Sequence, residues 1–477
     1  MPTQPIPFTG SNKNADEGMQ DNIAVELFNG IISELGHLVR VPGYSTFSDL
    51  ATGSGVTGLH YNDKNNKVIA TSGAKVFKLS EDATTTNITG TGIPTVGKIA
   101  TFADFADDVY LANNSGIIKA PVDTGTTTLV TDVNAPQSGV LNVANLNGYL
   151  LANSGTAGVV KFSDTGTPEV WAGEFFTFEA SNDQSQFFGV GDGSDRIVGF
   201  GNKSVESWRH SAGVPFLTEG QEYVNRGSIS PLSPVWILDT WYFVDEYKNL
   251  CRIRGRTPER LPTSNYRSLT AYLQGLYCQD LVGMHIYSNG YNWYVANLPT
   301  EQKTFAYNLD LDQWSQWSYW NGATAEHQQW RGQVATYATG WQKTLIGDSR
   351  SGLIYQMSAD TYTANSDVIR TSIKTGFISR GNAHKTKFCN RIFGRVIKKD
   401  VNTADATLKV AVRWRDTFLE SAWQQEEVEL YTEDGLNYDY LINGLGSYTS
   451  RQWEIICTAN IDFQMTPPME EYDESYQ

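Results

Sequence analysis

The chain contains no apolar run near the roughly 18 residues that a membrane-spanning helix requires, so no membrane-spanning segment is expected. Cysteine is scarce. The four present, Cys251, Cys278, Cys389 and Cys457, lie far apart and none falls in a C-x-x-C spacing. That argues against a disulfide framework or a zinc site and leaves buried thiols as the expectation. Basic charge is short as well: 36 Lys and Arg stand against 52 acidic residues, a net charge of -16. A protein that grips nucleic acid through a broad basic surface is therefore not expected. One that lets nucleic acid pass is compatible, because a like-charged wall holds phosphate weakly.

The recognised catalytic signatures are missing too. There is no G-x-S-x-G elbow, no H-E-x-x-H helix and no G-x-x-x-x-G-K-[ST] loop. The six histidines (His37, His60, His210, His285, His327, His384) are scattered singly, so metal chemistry is not expected, nor any cofactor. The opening MPTQPIPFTGSNKNADEG lacks the basic flank and apolar core of a cleaved leader. The expectation is a protein that stays in the cytosol where it was made, or leaves it without such a leader.

What the chain does have is glycine and aromatics: 43 Gly, and 12% Phe, Trp and Tyr, with only 18% charged residues. That composition suggests many strands joined by turns. Short aromatic or β-branched runs pair around polar turns, as in GLHYNDKNNKVIATSG, DDVYLANNSGIIKAPV, NGYLLANSGTAGVVKFSD and LVGMHIYSNGYNWYVANL. Turn centres fall near residues 64, 114, 155, 202, 247, 290 and 350, at intervals of 50, 41, 47, 45, 43 and 60. A period of roughly 40–50 residues filled with strand pairs is that of β-propeller blades. The fold class is therefore all-β: a propeller of six or seven blades with an additional C-terminal β-module, a row of stacked sandwiches being the other arrangement considered. The expected boundaries are an extended arm over 1–30, the propeller over 31–365, a β-module over 366–466 and an acidic tail over 467–477. The module begins with a basic stretch and either completes the ring or is appended to it. The tail, MEEYDESYQ, is expected to be unordered unless a partner orders it.

Four stretches look chemically loaded. In GFGNKSVESWRH, strand alternation puts Ser204, Glu206, Trp208 and His210 on one face, as a sugar-cleaving wall would. Each sibling unit has a similar strand without the trio Glu206, Trp208 and His210, so packing with a polar edge is the stronger reading. FSDTGTPEVW has the residues of a sialidase Asp box, itself a fold-stabilising turn, but it occurs once and its spacing is long. CRIRGRTPER aligns Arg252, Arg254 and Arg256 on one strand face, suited to a neighbouring subunit's acidic groups ahead of phosphate, or to a solvated edge. FAYNLDLDQWSQWSYWNG is rich enough in aromatics for a carbohydrate platform, though inter-blade core is favoured.

Taken in order, these blocks resemble the tail-hub, or packaged-DNA stabilisation, family of short-tailed phages. The N-terminal likeness runs through ISELGHLVRVPGYSTF and GSGVTGLHYNDKNNKVIATSGAKVFKLS, with Pro42, Gly43, Gly58 and Gly73 in the family's positions. DGSDRIVGFGNKSVESWRHSAGVPF resembles its hallmark block, aligning Gly201, Ser204, Glu206, Trp208, Gly213, Pro215 and Phe216. The likeness spans roughly residues 30–360. It implies a hexameric ring of propeller subunits below a portal and its adaptor ring in the virion tail, assembled in the host cytoplasm. The ring would retain packaged double-stranded DNA, extend the ejection channel, carry tailspikes or fibres, and meet a needle or plug. The family brings no catalytic residues, so the block transfers as a structural signature. The alternative from the residues themselves is a propeller that binds or cleaves host-surface glycans.

Overall fold

The computed structural model describes residues 2–8, 24–154, 156, 158–177, 187–190, 196–211, 214–224, 226–254, 257–261, 269–381, 384–398, 409–416, 422–432 and 436–475. Short runs of β-branched and aromatic residues form its strands, and turn residues with the required backbone geometry end them. Asn147–Gly148 and Asn289–Gly290 both have positive φ at both positions, the conformation that a tight two-residue hairpin needs.

Five separate four-stranded antiparallel sheets follow one another from Val56 to Arg260. Two further four-stranded units sit inside larger sheets: Val282–Ser288 to Gln313–Asn321, and Gly332–Ala338 to Leu353–Ser358 with Gly43–Asp49. The propeller therefore has seven blades. Blade 7 takes its outermost strand from the N-terminal side, where Gly43–Asp49 runs antiparallel to Leu353–Ser358. Apolar clusters fill the gaps between neighbouring blades, for example Trp171 with Tyr110 and Leu150 between blades 2 and 3. All four cysteines are buried and unpaired.

The C-terminal module is a sandwich that the sequence reading saw only in part. One sheet continues outward from blade 6: Ala24–Phe28 makes a parallel bridge to Gln316, then Thr371–Ile378, Arg451–Cys457, Lys409–Arg415 and Gln424–Glu429 follow in order. The other is organised about Lys387–Lys398, flanked by Asn437–Asn443 and Met469–Glu474, with Phe463–Met465 pairing to its end. Leu38–Arg40, Gly30–Ile32 and Thr3–Pro5 extend that second sheet. Its core is one cluster with blades 5 and 6, including Ile373, Ile392, Val410 and Trp453. The module is thus appended to the ring, and the ring is closed from the other end of the chain.

Two expectations are corrected here. The N-terminal residues are not a free arm: Thr3–Pro5 pairs with Met469–Glu474, and Ile6 and Phe8 are wholly buried. Burying two such side chains offers about 1.5–3 kcal/mol each, enough to hold a short segment down. Residues 9–23 of the expected arm lie outside the described residues. Nor is the acidic end an unordered tail, since Met469–Glu474 is an inserted strand. Its charge is matched by the basic stretch of the same chain: Glu471 pairs with Arg391 at 2.7 Å and Glu474 with Lys385 at 3.3 Å. Glu470, fully buried, accepts from Arg380 at 2.6 Å and from the Tyr448 hydroxyl at 2.6 Å. Arg380 also donates to the Pro5 carbonyl at 2.9 Å, so one guanidinium joins both chain ends.

Glu470→Ala leaves that guanidinium buried without its counter-charge and should cost about 3–5 kcal/mol. Glu471→Ala, beside an exposed arginine, should cost about 1 kcal/mol or less. Urea unfolding of the two variants beside the unmodified chain checks the contrast.

Candidate functional site

The block singled out by sequence forms the middle of blade 4. Gly201 opens the turn: its N–H donates to the Ser204 carbonyl at 2.9 Å, and its carbonyl accepts from Ser228 at 2.8 Å. Val205–Ser211 then pairs with Arg196–Phe200, setting Trp208 opposite Ile197 and Glu206 opposite Gly199. Ser204 is buried but belongs to the turn, so it does not begin the strand face.

The alternation expected for Glu206, Trp208 and His210 holds, and that face looks toward blade 3. Trp208 packs on Phe176 with ring centres 4.9 Å apart and lies in the cluster with Leu151 and Phe162. His210 Nδ1 is 3.1 Å from the Asn147 amide, and its ring lies 5.5 Å from that of Tyr149. The Trp208 Nε1–H donates to Glu206 Oε1 at 2.7 Å, with both side chains buried. An indole wedged between blades has one polar atom to satisfy, and the carboxylate two residues away satisfies it. The geometry fastens blade 4 to blade 3.

The other marked residues have mostly local roles. Pro42 leads into the closing strand, and Gly43 is where that strand passes closest to the chain beyond blade 7. A Cβ on Gly43 would come within 2.5 Å of the Thr361 and Thr363 carbonyl oxygens, so the position admits no side chain. Pro215 lies in Val214–Val224, a strand whose side chains fall outside the description. Arg252 pairs within its own blade, Nε to Glu259 Oε2 at 3.0 Å. Arg254 ends the same strand, with its side chain outside the description, and Arg256 lies outside the described residues. In FSDTGTPEVW, Trp171 is buried between blades 2 and 3, while Asp164 and Thr167 bridge the turn. Trp314 and Trp317 are core residues of separate clusters.

One feature had no sequence signal. A cavity of about 630 Å³ opens where Gln313–Asn321 leaves blade 6, lined among others by Phe28, Lys303, Gln316, His327 and Arg350. His327 stacks on Phe28 at 4.1 Å, and its Nδ1 is 2.7 Å from Ser318 Oγ. Residues 28 and 327 meet only because the N-terminal strand joins blade 6, which no local pattern announces. Burial first, then Arg370 and Lys374, hold the imidazole pKa down to about 4. Among the described residues, no group of three or more His, Cys, Asp or Glu is placed to hold a metal ion.

A closed ring of seven four-stranded blades is a β-propeller, and its most reactive-looking residues are engaged in inter-blade packing. The chain belongs to the phage stabilisation family described as "Bacteriophage P22 Gp10, beta-propeller", whose model matches residues 9–362. It is thus of the phage tail-hub and stabilisation type, a structural component of the virion tail. The match ends just past Ser358, the last residue of the seventh blade, so most of the sandwich lies beyond it. No curated protein matches the chain.

Solved structures with similar coordinates include the extracellular domain of a putative hybrid two-component system from B. thetaiotaomicron. It is 11% identical with a TM-score of 0.45, over 73% of this chain and 43% of that one. The Myceliophteria thermophila Cps50 (Swd1) β-propeller domain gives 8% and 0.44, over 66% and 99%. YCF48 from Cyanidioschyzon merolae gives 8% and 0.43, over 66% and 98%. The chain therefore spans less than half of the first of these.

Trp208→Ala removes the wedge and should cost about 3–5 kcal/mol, whereas Glu206→Gln keeps an acceptor for the indole and should cost about 1 kcal/mol. Thermal unfolding of the two variants measures the difference. His327 sets a pH dependence. The unfolded chain takes up a proton near the ordinary histidine value of about 6.5, the folded chain only near about 4. Stability therefore falls as pH drops through that window, by at most about 3 kcal/mol, and levels off below it. His327→Gln should flatten that part of a stability-versus-pH curve.

Proposed function

We propose that six copies of the chain form a ring beneath the portal and adaptor of a short-tailed phage, assembled in the host cytoplasm. The ring retains packaged DNA, continues the ejection channel, and carries tailspikes or fibres at its sides, with a needle or plug at its lower end. The observation that carries this reading is the family match across the whole propeller. The use of Glu206 and Trp208 as an inter-blade fastening supports a structural role for the signature block.

Charge supports it further. The turns joining first to second and third to fourth strands lie on one face of a propeller. Here they expose Asp63, Glu81, Asp82, Asp107, Asp123 and Asp239, with Lys64 spent on Asp107. Such a face, on a chain of net charge -16, repels duplex phosphate and lets it move without snagging.

The test is a phage whose gene for this chain carries an early stop codon. Heads should form and fill, then lose their genome, so that DNase-protected DNA disappears from purified particles. Heads that keep a full genome would sink the proposal, as would a purified chain that remains single and binds saccharide.

A further inference from the structure

Two apolar patches reach the surface on nearly opposite sides of the subunit; in the first, Leu441 is exposed and Phe393 and Met469 are half-buried. The first is the outer face of the sandwich sheet built on Lys387–Lys398. Leu441, Phe393 and Met469 stand side by side across three neighbouring strands, Phe393 being in register with both of the others. Together with Pro467 they line a groove of about 470 Å³. Ion pairs flank this row, Arg391–Glu471 at 2.7 Å and Arg395–Asp439 at 2.6 Å. In each pair the cation is the outer member: the arginine side chains are 46% and 50% exposed, their carboxylates 14% and 34%.

The second patch is the rim of blade 3. Val133 is 88% exposed and Phe175 61%, with Val170 exposed beside them. Hydrogen bonds hold the three together: the Asn134 amide donates to the Trp171 carbonyl at 2.8 Å, and Lys161, in register with Phe175, donates to the Asn134 carbonyl at 2.8 Å. Phe175–Thr177 is the last strand of its sheet. Glu169 and Glu174 are the exposed charged residues of this rim; Glu169 pairs with Lys119 at 2.6 Å, and there the carboxylate is the outer member, 52% exposed against 28%.

The sandwich continues from blade 6, three blades from blade 3 one way round the ring and four the other. Each patch has an apolar centre and a charged border, the anatomy of a protein interface. The borders are opposite in sign, cationic tips on the sandwich and carboxylates on the rim. Copies carrying a net charge of -16 repel one another, so they approach best where unlike charges face. A contact between two different patches on opposite sides propagates from copy to copy, and it closes into a ring when the rotation permits.

We infer that the sandwich face around Phe393, Leu441 and Met469 of one copy seats on the blade 3 rim around Val133, Val170 and Phe175 of the next. The inference rests on the ring reading above and supplies its seam. It is tested on the full chain by light scattering, with Phe175→Glu, Leu441→Glu and, as a control outside both patches, Ile93→Glu. The unmodified chain and the control should be multimers, and each patch variant should fall to the mass of one chain. An equal mixture of the two patch variants retains one intact seam per pair, so it should give species of two chains and nothing larger. That recovery also shows that both variants are folded. A patch variant that keeps the multimeric mass overturns the seam and leaves the ring standing. Two single-chain variants that do not pair on mixing overturn the head-to-tail arrangement. If the unmodified chain stays single at every concentration, the ring itself falls, and the seam with it.

Discussion

Everything in this molecule depends on how the edge of the seventh blade is paired. A four-stranded blade buries its faces only against neighbours, and a row of them leaves an open face at each end and an unfinished sheet at the last. Gly43–Asp49 supplies the missing strand beside Leu353–Ser358, joining residues some three hundred positions apart. The pairing costs loop-closure entropy, which grows only slowly with loop length, and in return the ring has no open end. It also explains Gly43: the closing strand must pass against the Thr361–Thr363 backbone, where a side chain has no room.

The same detour delivers the rest of the N-terminal region to the sandwich. The strands before residue 43 are added to two sheets whose other members come mainly from beyond residue 370, so both chain ends share one core with blades 5 and 6. Electrostatics and packing act together there. Arg380 is buried and costly to desolvate, yet it meets a buried carboxylate, a tyrosine-bonded one at that, and a backbone carbonyl from the opposite terminus. Arg40 does a similar task through backbone carbonyls, donating to those of Tyr362 and Ala459 and lying over the Phe463 ring. Burial pulls its pKa down to about 10 and still leaves it charged. Ring and sandwich are thereby packed into one unit.

The blade repeat was legible because hairpins are local. Asn289–Gly290 announces its turn in two letters, and flanking alternation announces the strands. The intervals came out uneven for a physical reason. The turns near residues 64 and 290 join the first and second strands of their blades, whereas those near 114, 155, 202, 247 and 350 join the second and third. Mixing the two kinds stretches some intervals and shortens others, and that left six blades and seven both open. In the candidate site, the shared face of Glu206, Trp208 and His210 followed from strand alternation alone. What it faces did not: Phe176, Asn147 and Tyr149 belong to another blade.

The acidic end shows the same division. Composition alone made MEEYDESYQ a solvated tail, because four of its nine residues are carboxylic, without an evident partner nearby in sequence. Its partners, Arg380, Lys385 and Arg391, sit about eighty to ninety residues earlier. By itself the sequence determined the strands and their turns, since those depend on neighbours within a few residues. Only the tertiary structure decided the blade count, the strand that closes the ring and the fate of both termini. A backbone edge offers the same N–H and C=O groups to any strand, so which one docks is settled by burial and charge across the whole fold.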